Sequence, residues 1–362
     1  MKRDPENMKG EVEFSELEKK TPFTTALRGR VIPAGNIYDP EHDNEELPDF
    51  TQGEDWLNFV PDAEGNLRFY KGEPISGVYF GKEPANPETD LNNTFVELYY
   101  QRLSFPHIAG LVPSLLDDLR NLATVLSKMA HYQSNIPSGS WAIQRFIQTE
   151  LEYLFLQSRS IYDGLQFIIA NTWKMIYSVE EEDDFSAQLP TSSFRKMALI
   201  GEDQEPISAD SLVKKYGIPE SLAEFYSNEA PIFSKIRDFR DSIVHHGDSP
   251  ETIFITEDGL AVDTTAEPYC KFDIWENNQL LENELAPLWP FVAYVVKQTV
   301  TALDRFLSGL LAKPLHLPYK LAEGYDVYMR GPHITNLNHL DSLISSDQWG
   351  EEFVNTVEDR LF

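Results

Sequence analysis

At 362 residues the chain is long enough for one large domain or two ordinary ones, and its 41% apolar and 12% aromatic content excludes a disordered polymer. A formal net charge of −29 argues against tight nonspecific binding to DNA or anionic lipid, because such a surface repels both at long range. A single cysteine, Cys270, excludes an intramolecular disulfide and suits a reducing compartment.

The N-terminal MKRDPENMKGEVEF has no apolar stretch after its basic residues, so it does not read as a secretory signal. The most apolar window, Leu285 to Val296, stops at Lys297 and is too short to span a bilayer. A cytoplasmic protein with no membrane partner is therefore expected. The bland reading of the excess acid is solubility, although a small basic cleft can operate on an acidic protein.

Residues 1 to about 105 are rich in turn signals, among them Asp39-Pro40, Pro61-Asp62, Gly65-Asn66 and Pro84 to Pro87. Asn66 to Tyr70 and Ser76 to Phe80 read as two short strands joined by Lys71 to Ile75. This part is expected to be an irregular, mixed N-terminal extension.

From Pro113 the pattern turns helical. A first helix is predicted over 113–133, with Leu115, Leu116, Leu119, Leu122, Val125 and Leu126 at helical spacing. Pro137-Ser138-Gly139 breaks the chain. A second helix follows over 140–177, with Ile143, Phe146, Ile147, Leu151, Leu154 and Phe155 on one side. The acidic run Glu180 to Asp184 reads as a solvated loop, and 185–207 as loop with a short helix at most.

Helix resumes at Asp210 to Tyr216 and again after Pro219. A further helix is read from near Pro231, where Ile232, Ile236, Phe239 and Ile243 fall on one stripe, and Gly247 suits its end. Glu257-Asp258-Gly259 predicts a hairpin turn within a β-hairpin over about 251–275, with Lys271 to Trp275 as a possible further strand. A last long helix is predicted over 281–311.

The fold class expected is mainly α: an antiparallel helical bundle over 106–314 with an inserted β-hairpin, a loop-rich N-terminal extension over 1–105 and a C-terminal tail over 315–362. Since each helix carries one apolar stripe, 113–178 and 219–312 are expected to share one bundle.

Familiar sites are absent from the sequence: there is no phosphate loop followed by lysine, no HExxH, no paired CxxC and no GxSxG. Glu41-His42-Asp43 lies among turn residues, and His333 and His339 lie six apart in the polar tail, so no metal and no cofactor is expected. Asp117-Asp118 read as helix surface. Cys270 reads as a structural thiol in a strand.

Lys235 to Asp248, KIRDFRDSIVHHGD, is different. It gathers Arg237, Arg240, Asp241, His245 and His246 on the last turns of one helix. Histidine exchanges protons near neutral pH, and arginine offers a planar fork suited to phosphate. Together they can cleave RNA without a metal. Arg240 and His245 lie about 140° apart around a straight helix, whereas Asp241 and His245 share a face. One chain thus offers an incomplete cleft, and a homodimer would bring two arginines and two histidines to one phosphate. The plainer alternative is a helix C-cap with surface salt bridges to Asp238 and Asp241.

Arg240 to His245, RDSIVH, resembles the Arg-x4-His motif of the HEPN (higher eukaryotes and prokaryotes nucleotide-binding) superfamily, with Asp241 where many active members have asparagine. His246 fits a looser Arg-x5-His form. Gln157 to Leu165, QSRSIYDGL, resembles the preceding helix of HEPN-like proteins, with Arg159 and Asp163 four apart. The resemblance spans roughly 113–312. It implies a metal-independent ribonuclease acting on RNA, usually dimeric, in bacterial toxin–antitoxin, antiviral or stress responses with an antitoxin or defence-system partner. His245 would then be the acid/base, Arg240 the phosphate-stabilising cation and Asp241 the orienting group. Arg237, His246, Arg159 and Asp163 would be supporting residues. The resemblance equally allows a non-catalytic nucleotide-binding or scaffolding protein.

Overall fold

The computed structural model describes residues 9–11, 35–38, 56–61, 67–71, 76–101, 111–136, 140–173, 177–178, 188–191, 193–201, 204–246, 252–312, 315–316 and 324–361. The chain is mainly helical, and it divides into two compact units: residues 1–112 with 317–335, and residues 113–316 with 336–362. Residues 315–362, read from the sequence as a tail, are thus shared between the two.

The first unit is built on a sheet of order β1 (Lys9–Glu11), β4 (Leu67–Lys71), β3 (Trp56–Pro61), β2 (Gly35–Tyr38), β5 (Gly77–Gly81), β14 (Asp326–Arg330), β6 (Leu91–Asn92). The expected strands at β4 and β5 exist, but they are not partners: β5 pairs with β2 in parallel and with β14 antiparallel. Helix α1 (Thr94–Tyr100) is capped by Asn93, whose side chain accepts from the Val96 N–H at 3.1 Å, and it packs on β14.

The second unit is an antiparallel bundle. Helix α2 (Leu111–Ser134) and helix α3 (Ser140–Thr172) run in opposite directions, since Asp118 meets Ser160, Lys128 meets Glu150, and Tyr132 meets Phe146. The six apolar residues predicted to line α2 are all buried. On α3 the predicted stripe is buried except for Phe146, which is 49% exposed and packs on Tyr132. Helix α3 stops at Thr172, short of the expected 177, because Tyr177–Ser178 forms strand β7 paired to β13 (Leu315–His316).

A short helix α4 (Arg195–Ala198) leads into the hairpin β8 (Leu199–Ile200) and β9 (Glu205–Pro206), and then into α5 (Ala209–Tyr216), which ends on Gly217 in a left-handed conformation. Helix α6 spans Glu220–His246 without interruption. The expected start near Pro231 is therefore wrong: the ring sits on the exposed side, while Ala230, Ile232 and Phe233 bury the same turn in the core. Helix α6 runs antiparallel to α3, pairing Phe239 with Phe155 (4.2 Å between ring centroids) and Phe233 with Tyr162 (5.4 Å).

The hairpin of β10 (Phe254–Ile255) and β11 (Leu260–Asp263) turns where predicted, with the Thr256 N–H donating to the Gly259 carbonyl at 2.9 Å. Its third strand is β12 (Leu285–Pro287), not Lys271 to Trp275. The last bundle helix, α7 (Leu288–Leu311), consequently starts seven residues later than expected. It runs antiparallel to α6, through Phe306 on Phe225 and Arg305 on Glu229. Helices α8 (Leu340–Ser345) and α9 (Glu351–Leu361) close the unit, with Phe353 against Trp289. No helix among the described residues is long and apolar enough to cross a membrane.

Candidate anion-binding cluster

Helix α6 is fixed by its apolar stripe: Ile232, Ile236 and Phe239 are buried. That leaves Arg237, Arg240 and Asp241 on a flank near its C-terminal end. Asp241 divides its carboxylate between two arginines. Its Oδ2 lies 2.9 Å from Arg237 Nη2, one turn earlier, and its Oδ1 lies 2.9 Å from Arg240 Nη1. Asp238 is looser, 3.9 Å from Arg237. Asp241, expected to orient His245, holds two guanidinium groups, as the plainer salt-bridge alternative anticipates.

Helix α3 supplies the third cation. Arg159 lies over the ring of Phe233, 4.4 Å from its centroid, one helical turn before Arg237. Its Nη2 is 3.3 Å from Asp163 Oδ2, and its Nη1 is buried with no hydrogen-bond partner among the described residues. Burial lowers the Arg159 pKa, Asp163 and Asp241 raise it, and Arg237 and Arg240 lower it. The three arginines and two aspartates therefore share one electrostatic neighbourhood. The guanidinium stays charged regardless, because arginine does not lose its proton in proteins.

The segment QSRSIYDGL is mostly explained by packing. Ile161 and Leu165 are buried. Ser160 donates to Asp118 Oδ2 at 2.7 Å, and Gly164 leaves room for Leu115. Tyr162 donates to the buried Glu229 at 2.9 Å, and its own pKa is raised by burial and by that carboxylate. Glu229 also binds Arg305 Nη1 at 2.5 Å. Asp118, expected on the surface, is half-buried, and burial raises its pKa against the Ser160 bond.

Two contacts escaped the sequence reading. Asp163 Oδ1 accepts the Phe194 N–H at 2.9 Å, which pins the segment before α4 onto α3. The Arg237 Nη1 donates to Gln204 Oε1, from the turn between β8 and β9. Nothing in the sequence singles out Gln204, because its contact is set by a hairpin that the periodicity of 185–207 does not reveal.

The backbone of α6 extends through His246, but the side chains of Ser242, Ile243, Val244, His245 and His246 lie outside the described residues, as do Gly247 and Glu41-His42-Asp43. Cys270 is exposed, in the short 3-10 turn Tyr269–Lys271 and not in a strand. Among the described residues no group of three or more His, Cys, Asp or Glu could hold a metal. Comparisons with family models, curated proteins and solved structures returned no match for this chain.

Proposed function

We propose that this chain is a HEPN-like, metal-independent endoribonuclease of bacterial defence or toxin–antitoxin type, with its phosphate-binding part at the α3–α6 flank. The observation that carries the reading is the convergence of Arg159, Arg237 and Arg240 on one flank of a chain whose net charge is −29. A concentration of guanidinium groups against so acidic a background is where a phosphodiester would bind. In the reaction His245 takes the proton of a ribose 2′-hydroxyl, whose oxygen attacks the adjacent phosphorus. Arg240 stabilises the pentavalent charge, and the 5′-oxygen departs with a proton. The products are a 2′,3′-cyclic phosphate and a 5′-hydroxyl. A homodimer supplies the second histidine as the acid, and RNA and an antitoxin or defence-system protein are the partners.

A non-catalytic nucleotide-binding or scaffolding role is the second reading. It is favoured by one feature: Asp241 already engages Arg237 and Arg240, and Asp163 engages Arg159. The test is incubation of the purified protein with RNA, with and without chelator. Cleavage to cyclic-phosphate ends that survives chelator, is lost in His245→Ala and persists in His246→Ala supports the nuclease. Tight RNA binding with intact substrate supports the second reading.

A further inference from the structure

The turn that carries Gln204 rests on Arg237 of the arginine cluster. Its strands, β8 and β9, are two residues each, and Ile200, the last residue of β8, is 61% exposed. Beyond its own ladder, the Ile207 N–H donates to the Ala198 carbonyl at 2.9 Å, Arg195 donates to the Gly201 carbonyl at 3.3 Å, and Leu199 is buried. Gln204 itself holds a left-handed backbone, φ 56°, which a residue with a Cβ disfavours. Its amide oxygen accepts from Arg237, whose side chain is 18% exposed.

An amide oxygen on a guanidinium occupies the same donor that a phosphate oxygen would use. It is neutral, so it forms the weaker of the two bonds. On the same flank, the buried Nη1 of Arg159 has no hydrogen-bond partner among the described residues. An oxyanion arriving at this flank would exchange the Gln204 contact for a charge-assisted one and could engage Arg159.

We propose that Gln204 is a displaceable plug: it covers Arg237 in the free protein, and a nucleic-acid phosphate takes its place as the β8–β9 hairpin lifts. This rests on the reading of the flank as a phosphodiester site. It adds a residue and an opening step that the arginine–histidine motif does not contain.

The experiment uses a 2′-O-methyl RNA oligomer, which lacks the attacking hydroxyl and so reports binding without cleavage. Its affinity is measured for the full chain, Gln204→Ala and Gln204→Glu, with hydrogen–deuterium exchange followed in the peptides covering β8 and β9. Removing the competing amide should tighten binding about three- to tenfold. A carboxylate in its place should weaken binding about tenfold, because it forms an ion pair with Arg237. Oligomer binding should speed exchange in the hairpin. Equal or weaker binding by Gln204→Ala, or hairpin exchange that slows or stays constant, overturns the plug. If Gln204→Ala does not fold, the Gln204→Glu affinity and the exchange data decide. Should unmodified RNA be cleaved while the variants bind alike, the plug falls and the nuclease stands. Should the variants behave as expected while RNA stays intact, the plug stands and the nuclease falls. No binding by any of the three proteins defeats both.

Discussion

Near the end of α6, Asp241 sits between Arg237 and Arg240 at 2.9 Å from each. Asparagine at this position keeps one acceptor oxygen and turns an amide N–H₂ toward a cation, so it could retain only one of the two arginines. It also removes a negative charge beside three positive ones. Asp241→Asn is therefore expected to tighten binding of a 2′-O-methyl RNA oligomer about three- to tenfold at low salt, with a steeper loss of affinity as salt rises. Titrations at two salt concentrations check this. Unchanged or weaker binding would mean that Asp241 positions the arginines for the ligand and does not compete with it. Arg237, Arg240 and Asp241 were legible in the sequence because they lie within five residues at the start of the motif. The contribution of Arg159 was legible only as an i,i+4 pair with Asp163. Its stacking on Phe233 depends on how α3 meets α6.

The elements divide by the kind of signal that specifies them. Helices α2 and α3 were readable to within a few residues because their apolar stripes are long and Pro137-Ser138-Gly139 separates them. Helix α6 was misread because Pro231 resembles a start signal. In the fold its exposed ring removes one helical hydrogen bond, while the buried Ile232 and Phe233 keep the helix going. Pro231→Ala should restore that bond and raise stability by about 1–3 kcal/mol, the gain being reduced by a looser unfolded chain. Denaturant melts check it, and a loss of stability would show that the ring fills a needed contact. The start of α7 was misplaced for another reason. Leu285 to Pro287 are apolar enough for a helix, yet they pair with β11, a partner that local periodicity cannot see. The same holds for β14, which reaches its sheet from some 240 residues beyond β5.

At the scale of the molecule, the C-terminal segment is bonded to and packed on the bundle helices. Asn336 donates to the Ala123 carbonyl at 2.9 Å and to Ser127 Oγ at 2.7 Å, and His339 packs 5.5 Å from the Phe353 ring. Burial, then the nearby Arg360, lowers the His339 pKa below its ordinary value, against the weaker pull of Glu352 and Asp347. A depressed histidine binds fewer protons in the folded state than in the unfolded one. Its contribution to stability is therefore complete above the ordinary histidine pKa and is lost as pH falls through and below it. His339→Gln should flatten that part of the stability profile, measured by thermal melting from about pH 7.5 to 5. An unchanged slope would assign the acid sensitivity to other groups. The −29 net charge acts at this scale too: RNA must approach through an opposing field, so association should be slow at low salt unless the arginine flank is reached directly.

The nuclease assignment meets its most direct test in single-turnover cleavage of RNA by the Arg240→Ala/His245→Ala double variant, beside both single variants and Arg240→Lys. Each single alanine change should slow cleavage about 10²- to 10⁴-fold, because it removes a proton-transfer group or a transition-state cation. Arg240→Lys should recover only part of the loss, since an ammonium keeps the charge without the planar fork. The double variant should be no faster than the slower single one. Cleavage by the double variant at the wild-type rate would contradict the account and remove the activity from this motif.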